Sequence, residues 1–280
     1  MNSLRFASVG ILLTCLAVPA VSQSAVPPDN GFMTGWFSRV SRTQAKQPHW
    51  ITPVFTTTPR LEEEFRYDIG RQQTAKGDVT NYGISKGLEL IPTEHTEIII
   101  SPPPYIAHDN PNVHDGFGDM SFLLKYRLLA GNEEHGNYIV TAFLGASIPT
   151  GSYTNGALNA VVTPTFAFGK GWGNFDIQTT VGVGVPVGDT SKLGTPITYN
   201  TVFQYRVFKK IWPEVEANTT FFPNGPNSGN QQLFLSPGLV VGRLHLYKRL
   251  GLTVGGGVQI AATHFHTSNR NRVLTIRFPF

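Results

Sequence analysis

The sequence predicts a closed antiparallel transmembrane β-barrel, all-β and twelve-stranded, after a cleaved signal peptide. Three observations point there. Short segments of about ten residues alternate apolar and polar side chains along most of the chain. No segment after the amino-terminus approaches the ~18 apolar residues of a spanning helix. Charged residues are only 14% and hydrophobic ones 40%, with a mean hydropathy of −0.09. That is few charges without a greasy chain, as expected where apolar residues are diluted by small polar ones. Gly 29 and Pro 20 add many turns.

The first segment is a secretory signal, residues 1–22. Arg5 is its positive end, Val9 to Val18 its apolar run, and Ala20-Val21-Ser22 its cleavage region. Cys15, the only cysteine, lies inside it, and Thr14 is a poor residue for a lipoprotein signal. The mature chain is therefore expected to have no disulfide. Residues 23–58 read as an extension, periplasmic or lumenal. In it Phe32, Met33, Trp36, Phe37 and Val40 suit one side of a short helix, followed by a Pro-rich stretch from Trp50 to Thr58.

The barrel is expected over 59–280. Its strands read as Leu61 to Ile69, Tyr82–Leu90, Thr96–Pro102, Asp119 to Leu128, Tyr138 to Pro149, Leu158 to Phe168, Phe175 to Val185, Ile197 to Val207, Val215 to Phe221, Gln232 to Val241, Leu250 to Ala262 and Val273 to Phe280. Glu63 breaks the apolar face of the first, and Leu123 points inward in the fourth. The last strand sets Leu274, Ile276, Phe278 and Phe280 against Val273, Thr275, Arg277 and Pro279. Such a strand with a terminal Phe resembles the closing strand of bacterial outer-membrane barrels. That resemblance implies the outer membrane as location, outer-membrane lipid as surroundings, and the barrel-assembly machinery as a partner through Phe280.

With both termini in the periplasm, outer loops fall near 71–79, 103–117, 150–157, 186–195, 222–230 and 263–271, the second being the longest. Turns near 92–95, 130–136, 169–173, 208–211 and 242–249 are shorter. Tyr126, Tyr138, Phe166, Phe168, Phe175, Phe203, Tyr205, Trp212, Phe278 and Phe280 collect at one strand end. Tyr199, Phe221, Phe222 and Phe265 collect at the other, as two interfacial girdles.

The same alternation nominates residues facing the lumen: Glu62, Glu64, Arg66, Asp68, Lys125, Arg127, Asp176, Gln178, Gln204, Arg206, Glu214, Glu216, Gln259 and Arg277. Asp176, Arg206 and Glu214 are expected on neighbouring strands, and Arg277 against Glu62 and Glu64 at the seam. Such pairs either line the pore and set ion preference or only neutralise one another.

Gly116-Phe117-Gly118-Asp119, running into Lys125-Tyr126-Arg127-Leu128-Leu129, and the strand ending Pro149-Thr150-Gly151 resemble the outer-membrane family named for the meta-pathway of phenol degradation. The resemblance is direct over about 80–186. It implies a channel for small molecules, aromatic or hydrophobic compounds among them. A filled structural or adhesive barrel is the alternative. A lipid hydrolase is a weaker one, since His264, His266 and Ser268 are neighbours only in a loop and no Gly-x-Ser-x-Gly elbow occurs. His108, Asp109, His114 and Asp115 have generic loop spacing, so no metal or other cofactor is expected, and no basic cluster suggests nucleic acid.

Overall fold

The computed structural model describes residues 32–84 and 86–280. The signal at 1–22, with Cys15, and the first part of the extension lie outside the described residues. The compact unit runs from Trp36 to Phe280.

One helix precedes the wall: α1, Trp36–Ala45. Twelve crossings follow. β1 is Glu64–Thr74. β2 comprises Gly77–Tyr82 and Gly87–Thr93, β3 Thr96–Ser101 and Tyr105–His108, and β4 Gly116–Phe117 and Met120–Gly131. β5 is Tyr138–Ile148, β6 Val161–Trp172, and β7 Phe175–Val183 with Val185–Pro186. β8 is Ile197–Tyr205, β9 Ile211–Phe221, β10 Gln231–Tyr247, β11 Leu250–Ala261 and β12 Arg270–Pro279. Each crossing pairs antiparallel with the next, and β12 pairs with β1, so the sheet closes and has no free edge. Closure leaves no strand with an open row of unpaired peptide groups, which a bilayer requires.

Period-two burial explains the wall. In β1, Glu64, Arg66 and Asp68 are buried while Phe65 and Tyr67 are exposed. In β9, Trp212, Glu214 and Glu216 are buried while Val215 is exposed. Charges inside and hydrocarbon outside invert a soluble core. Exposed aromatics gather at both rims: Phe65, Tyr126, Phe168 and Tyr205 at the end bearing the tight turns, and Tyr105, Phe117, Tyr199 and Phe221 at the end bearing the loops.

The structure corrects several details. β1 runs on to Thr74, so the loop expected near 71–79 is a hairpin with a two-residue tip. The loop expected over 103–117 shrinks to 109–115, because Tyr105–His108 and Gly116–Phe117 pair with each other. The longest loop between crossings is 149–160, with Leu158 in it and 84% exposed. β10 continues past Val241 to Tyr247. A register irregularity between Val241 and Leu244 shifts its alternation there, which hides the continuation from a pattern reading. Trp212 is not a girdle residue; it is buried among Trp50, Ile51 and Val240. Glu63 precedes β1 and spoils no face: it accepts from Trp36 Nε1 and from Ile91 N at 2.7 Å.

α1 buries Val40 and Thr43, and Val40 packs with Leu61, Ile91 and Trp36. Phe37 lies off that face, beneath the Arg249 guanidinium at 5.0 Å. Arg42 and Lys46 both donate to Glu94 in the β2–β3 turn, at 2.9 and 2.8 Å. The Lys46 hydrogen bond foremost, then that of Arg42, holds the Glu94 carboxyl below its ordinary range. The folded value is the lower one, so this contribution is present at neutral pH and lost as pH falls through it. Both cations are half exposed, so the effect is below about 1 kcal/mol. Hydrogen exchange in α1 is expected to quicken in acid, and Glu94→Gln to abolish that pH dependence; an acid response unchanged in Glu94→Gln would refute the assignment.

Candidate functional site

Residues 47–63 run through the barrel interior as an extended plug. Pro48, Pro53 and Pro59 keep it from forming helix or ladder. Its peptide groups must therefore find partners among wall side chains, since a bare peptide costs several kcal/mol away from water. The contacts come from all round the cylinder. Glu214 on β9 accepts from Val54 N at 2.8 Å, and Glu216 from Phe55 N at 2.8 Å and Thr56 N at 2.6 Å. Thr141 on β5 donates to Pro59 O at 2.6 Å, and Lys125 on β4 to Arg60 O at 3.1 Å. Arg277 on β12 donates to Thr52 O and, at 2.8 Å, to Pro53 O. Arg66 on β1 donates to Val54 O at 2.6 Å.

Arg60 ties the plug to itself. It is 1% exposed and donates to Pro48 O at 2.5 Å, to Trp50 O, and to Glu62 at 2.5 Å. Glu62 also accepts from Thr52 at 3.1 Å and lies 3.6 Å from Arg243. Apolar plug residues meet an inner patch: Trp50, Ile51 and Val54 pack with Ile139, Trp212 and Val240. Glycines make the room. A Cβ at Gly169 would fall 2.5 Å from the Trp50 ring, and one at Gly257 would fall 2.8 Å from Phe55.

The nominated residues sit as follows. Arg66 and Asp68 form a buried pair at 2.7 Å, and Lys125 pairs with Glu97 at 2.9 Å. Glu64 is buried beside Glu89 across β1 and β2. Arg127 donates to Thr43 O and Glu94 O at 2.8 and 2.6 Å, so it anchors the end of α1. Gln178 is a hub. It accepts from Thr58 at 2.7 Å and donates to Asp176 at 3.0 Å and Gln204 at 2.9 Å; Gln204 donates to Glu214 at 2.6 Å. Gln259 donates to Asn218 at 3.0 Å and accepts from Asn271 at 2.9 Å.

Two expected pairings are not made as direct contacts. Arg206 lies just past β8, donates to Asn174 at 3.1 Å and sits 5.6 Å from the Trp212 ring, so it meets neither Asp176 nor Glu214. Its strand ends one residue earlier and the turn carries it to the rim. Arg277 stands opposite Arg66 across the seam; Glu64, the next inward residue of β1, still feels its charge, whereas Glu62 does not. Plug carbonyls and Asp68 surround the two guanidinium groups. Sequence reading missed Arg60, Glu89, Glu97 and Arg243. Of these, Glu89 and Glu97 carried a signal, each alternating with outward apolar residues, Leu88 and Leu90 for the one and Ile98 and Ile100 for the other.

Two spaces flank the plug. One, about 320 Å³, lies between Val54, Phe55 and Thr57 of the plug and Ser101, Ser121, Leu123, Ser147 and Thr163 of the wall, with Arg66 and Lys86 at its edge. The other, about 460 Å³, opens at the turn end between α1, Arg60, Arg243, Arg249 and Phe280. Asp119, of the Gly-x-Gly-Asp motif, accepts from Gly151 N at 2.9 Å and Ala157 N at 2.7 Å. The motif thus folds the 149–160 loop onto β4. His266 engages Thr263 O and Asn269, and no Ser–His hydrogen bond occurs among the described residues. Nor, among them, do three His, Cys, Asp or Glu side chains gather as a metal site would need.

A model of the family described as "Putative MetA-pathway of phenol degradation" matches residues 52–264. An outer-membrane channel from Pseudomonas putida F1 is similar in fold, with TM-score 0.52 at 16% identity over 78% of this chain and 94% of that one. The NanC porin gives 0.50 at 8% identity over 77% and 98%. Outer membrane phospholipase A from Escherichia coli gives 0.42 at 12% identity over 78% and 97%. No curated protein matches.

Proposed function

Since this chain belongs to the family of the MetA pathway of phenol degradation, we propose that it is a channel of the bacterial outer membrane for passive passage of small molecules. The observation that carries the reading is the plug. It is held by hydrogen bonds to a polar wall, with solute-sized space on either side of it. A polar lumen offers passing solutes hydrogen-bond partners and charges that select among them. In this reading solutes pass between plug and wall, using the space edged by Arg66 and Lys86 and the one edged by Arg60 and Arg243. The space at Val54, Phe55 and Leu123, with four wall hydroxyls, suits small amphipathic molecules such as aromatic alcohols and acids. The charged lining tunes which of them pass.

The plug also favours a second reading, a permanently filled barrel. Vesicles carrying the refolded chain separate the two. A channel admits small aromatic solutes and small sugars faster than protein-free vesicles do. Equal rates would leave the filled barrel. Hydrolysis of vesicle phospholipid, measured in the same preparation, would instead favour an enzyme.

A further inference from the structure

We propose that Arg71, Arg270 and Arg272 form a site on the outside of the barrel for the phosphate groups of a glycolipid in the outer leaflet. The proposal rests on the outer-membrane reading above.

The register places the three together. Arg71 pairs with Arg272, and Gln73 with Arg270, across the β1–β12 seam. Phase sets their direction. Glu64, Arg66 and Asp68 are buried and point inward, so Phe65, Tyr67, Ile69 and then Arg71 point outward. On β12, Asn271, Thr275 and Arg277 are buried, so Leu274, Arg272 and Arg270 point outward. The cluster also stands at the loop end. Asp109, from the β3–β4 loop, reaches Arg71 at 2.6 Å, and the β1–β2 tip is only a few residues away.

Its surroundings are those of a lipid headgroup. Ile69 and Leu274 come next on the same outward face, and Val258 and Ile260 of β11 stand opposite Arg272 and Arg270. The cations therefore border an apolar surface. A soluble acidic partner would have no use for that border, whereas acyl chains would.

Charge completes the case. Arg71 is bound by Asp78 at 3.0 Å and by Asp109. The side chains of Arg270 and Arg272 make no hydrogen bond or ion pair among the described residues. Like charges directly opposite in a sheet are destabilising, yet Arg71 and Arg272 face one another. The three arginines, Gln73 and Asp78 line one hollow of about 50 Å³. An anion there relieves the repulsion, and arginine's planar fork matches phosphate geometry.

The test titrates the refolded full chain, in uncharged detergent, with a bisphosphorylated glucosamine lipid, read by native mass spectrometry. The expected result is retention of the lipid by the wild type. The Arg270→Gln/Arg272→Gln variant should bind about tenfold more weakly or worse, with Lys at both positions restoring part of the loss. The dephosphorylated lipid should bind poorly, and inorganic phosphate should not displace the intact lipid. Heat-dependent gel mobility checks that each variant is folded. Equal binding by the Gln variant, equal binding of the dephosphorylated lipid, or complete displacement by inorganic phosphate overturns the site. A chain that enters vesicles and keeps its heat-dependent mobility but holds no glycolipid removes this site alone. A chain that needs no lipid or detergent to stay in solution removes the membrane reading with it.

Discussion

Arg60→Ala is expected to lower stability by about 3–5 kcal/mol, the usual cost of leaving one partner of a buried ion pair alone. The variant loses the donors to Pro48 O and Trp50 O together with the charge that neutralises Glu62. Glu62 is 3% exposed, so little water reaches its carboxylate. Arg243, at 3.6 Å, compensates only in part. The midpoint of the heat-dependent mobility shift should fall, and hydrogen exchange should quicken across residues 47–62. Adding Glu62→Gln should return part of the loss, since no lone charge then remains. An unchanged midpoint in Arg60→Ala would show that the plug is not held as described.

Deleting residues 36–58, helix and plug together, is expected to leave the wall closed and to widen the passage. The wall ladder does not use these residues; its twelve pairings run strand to strand and close at β1–β12. Charges now spent on the plug, Glu214, Glu216, Arg66 and Arg277, would face water in place of peptide groups. Water hydrates them, so they are not orphaned as they would be in a dry core. The shortened chain should therefore still shift on heating, and vesicles bearing it should admit larger sugars than the intact chain does. Loss of the barrel on deletion would mean that the plug is a core the wall cannot do without.

The wall was legible because each strand has two chemically opposite faces, and period two records that directly. β11 shows it well: Leu252 and Val254 outward, Thr253 buried. The plug's wiring was not legible. Val54 meets Glu214 across 160 positions, and nothing local to either residue marks the other. Ends of strands were the weak points for a physical reason. Past Tyr205 the chain turns, so Arg206 leaves the lumen phase and reaches Asn174. Past Val241 the ladder slips, so Arg243 reaches the plug at Trp50 O despite a broken alternation. Trp212 stands near a strand end, where a bulky aromatic suits a girdle as well as a plug contact; only its burial beside Trp50 and Ile51 decides.

The most direct measurement is the electrical current through single molecules in a planar bilayer, intact and plug-deleted chains compared under one salt. A passage between plug and wall predicts stepwise currents from both, small for the intact chain and several-fold larger without residues 36–58. Silence from the intact chain, or steps of one size from the two, would contradict it.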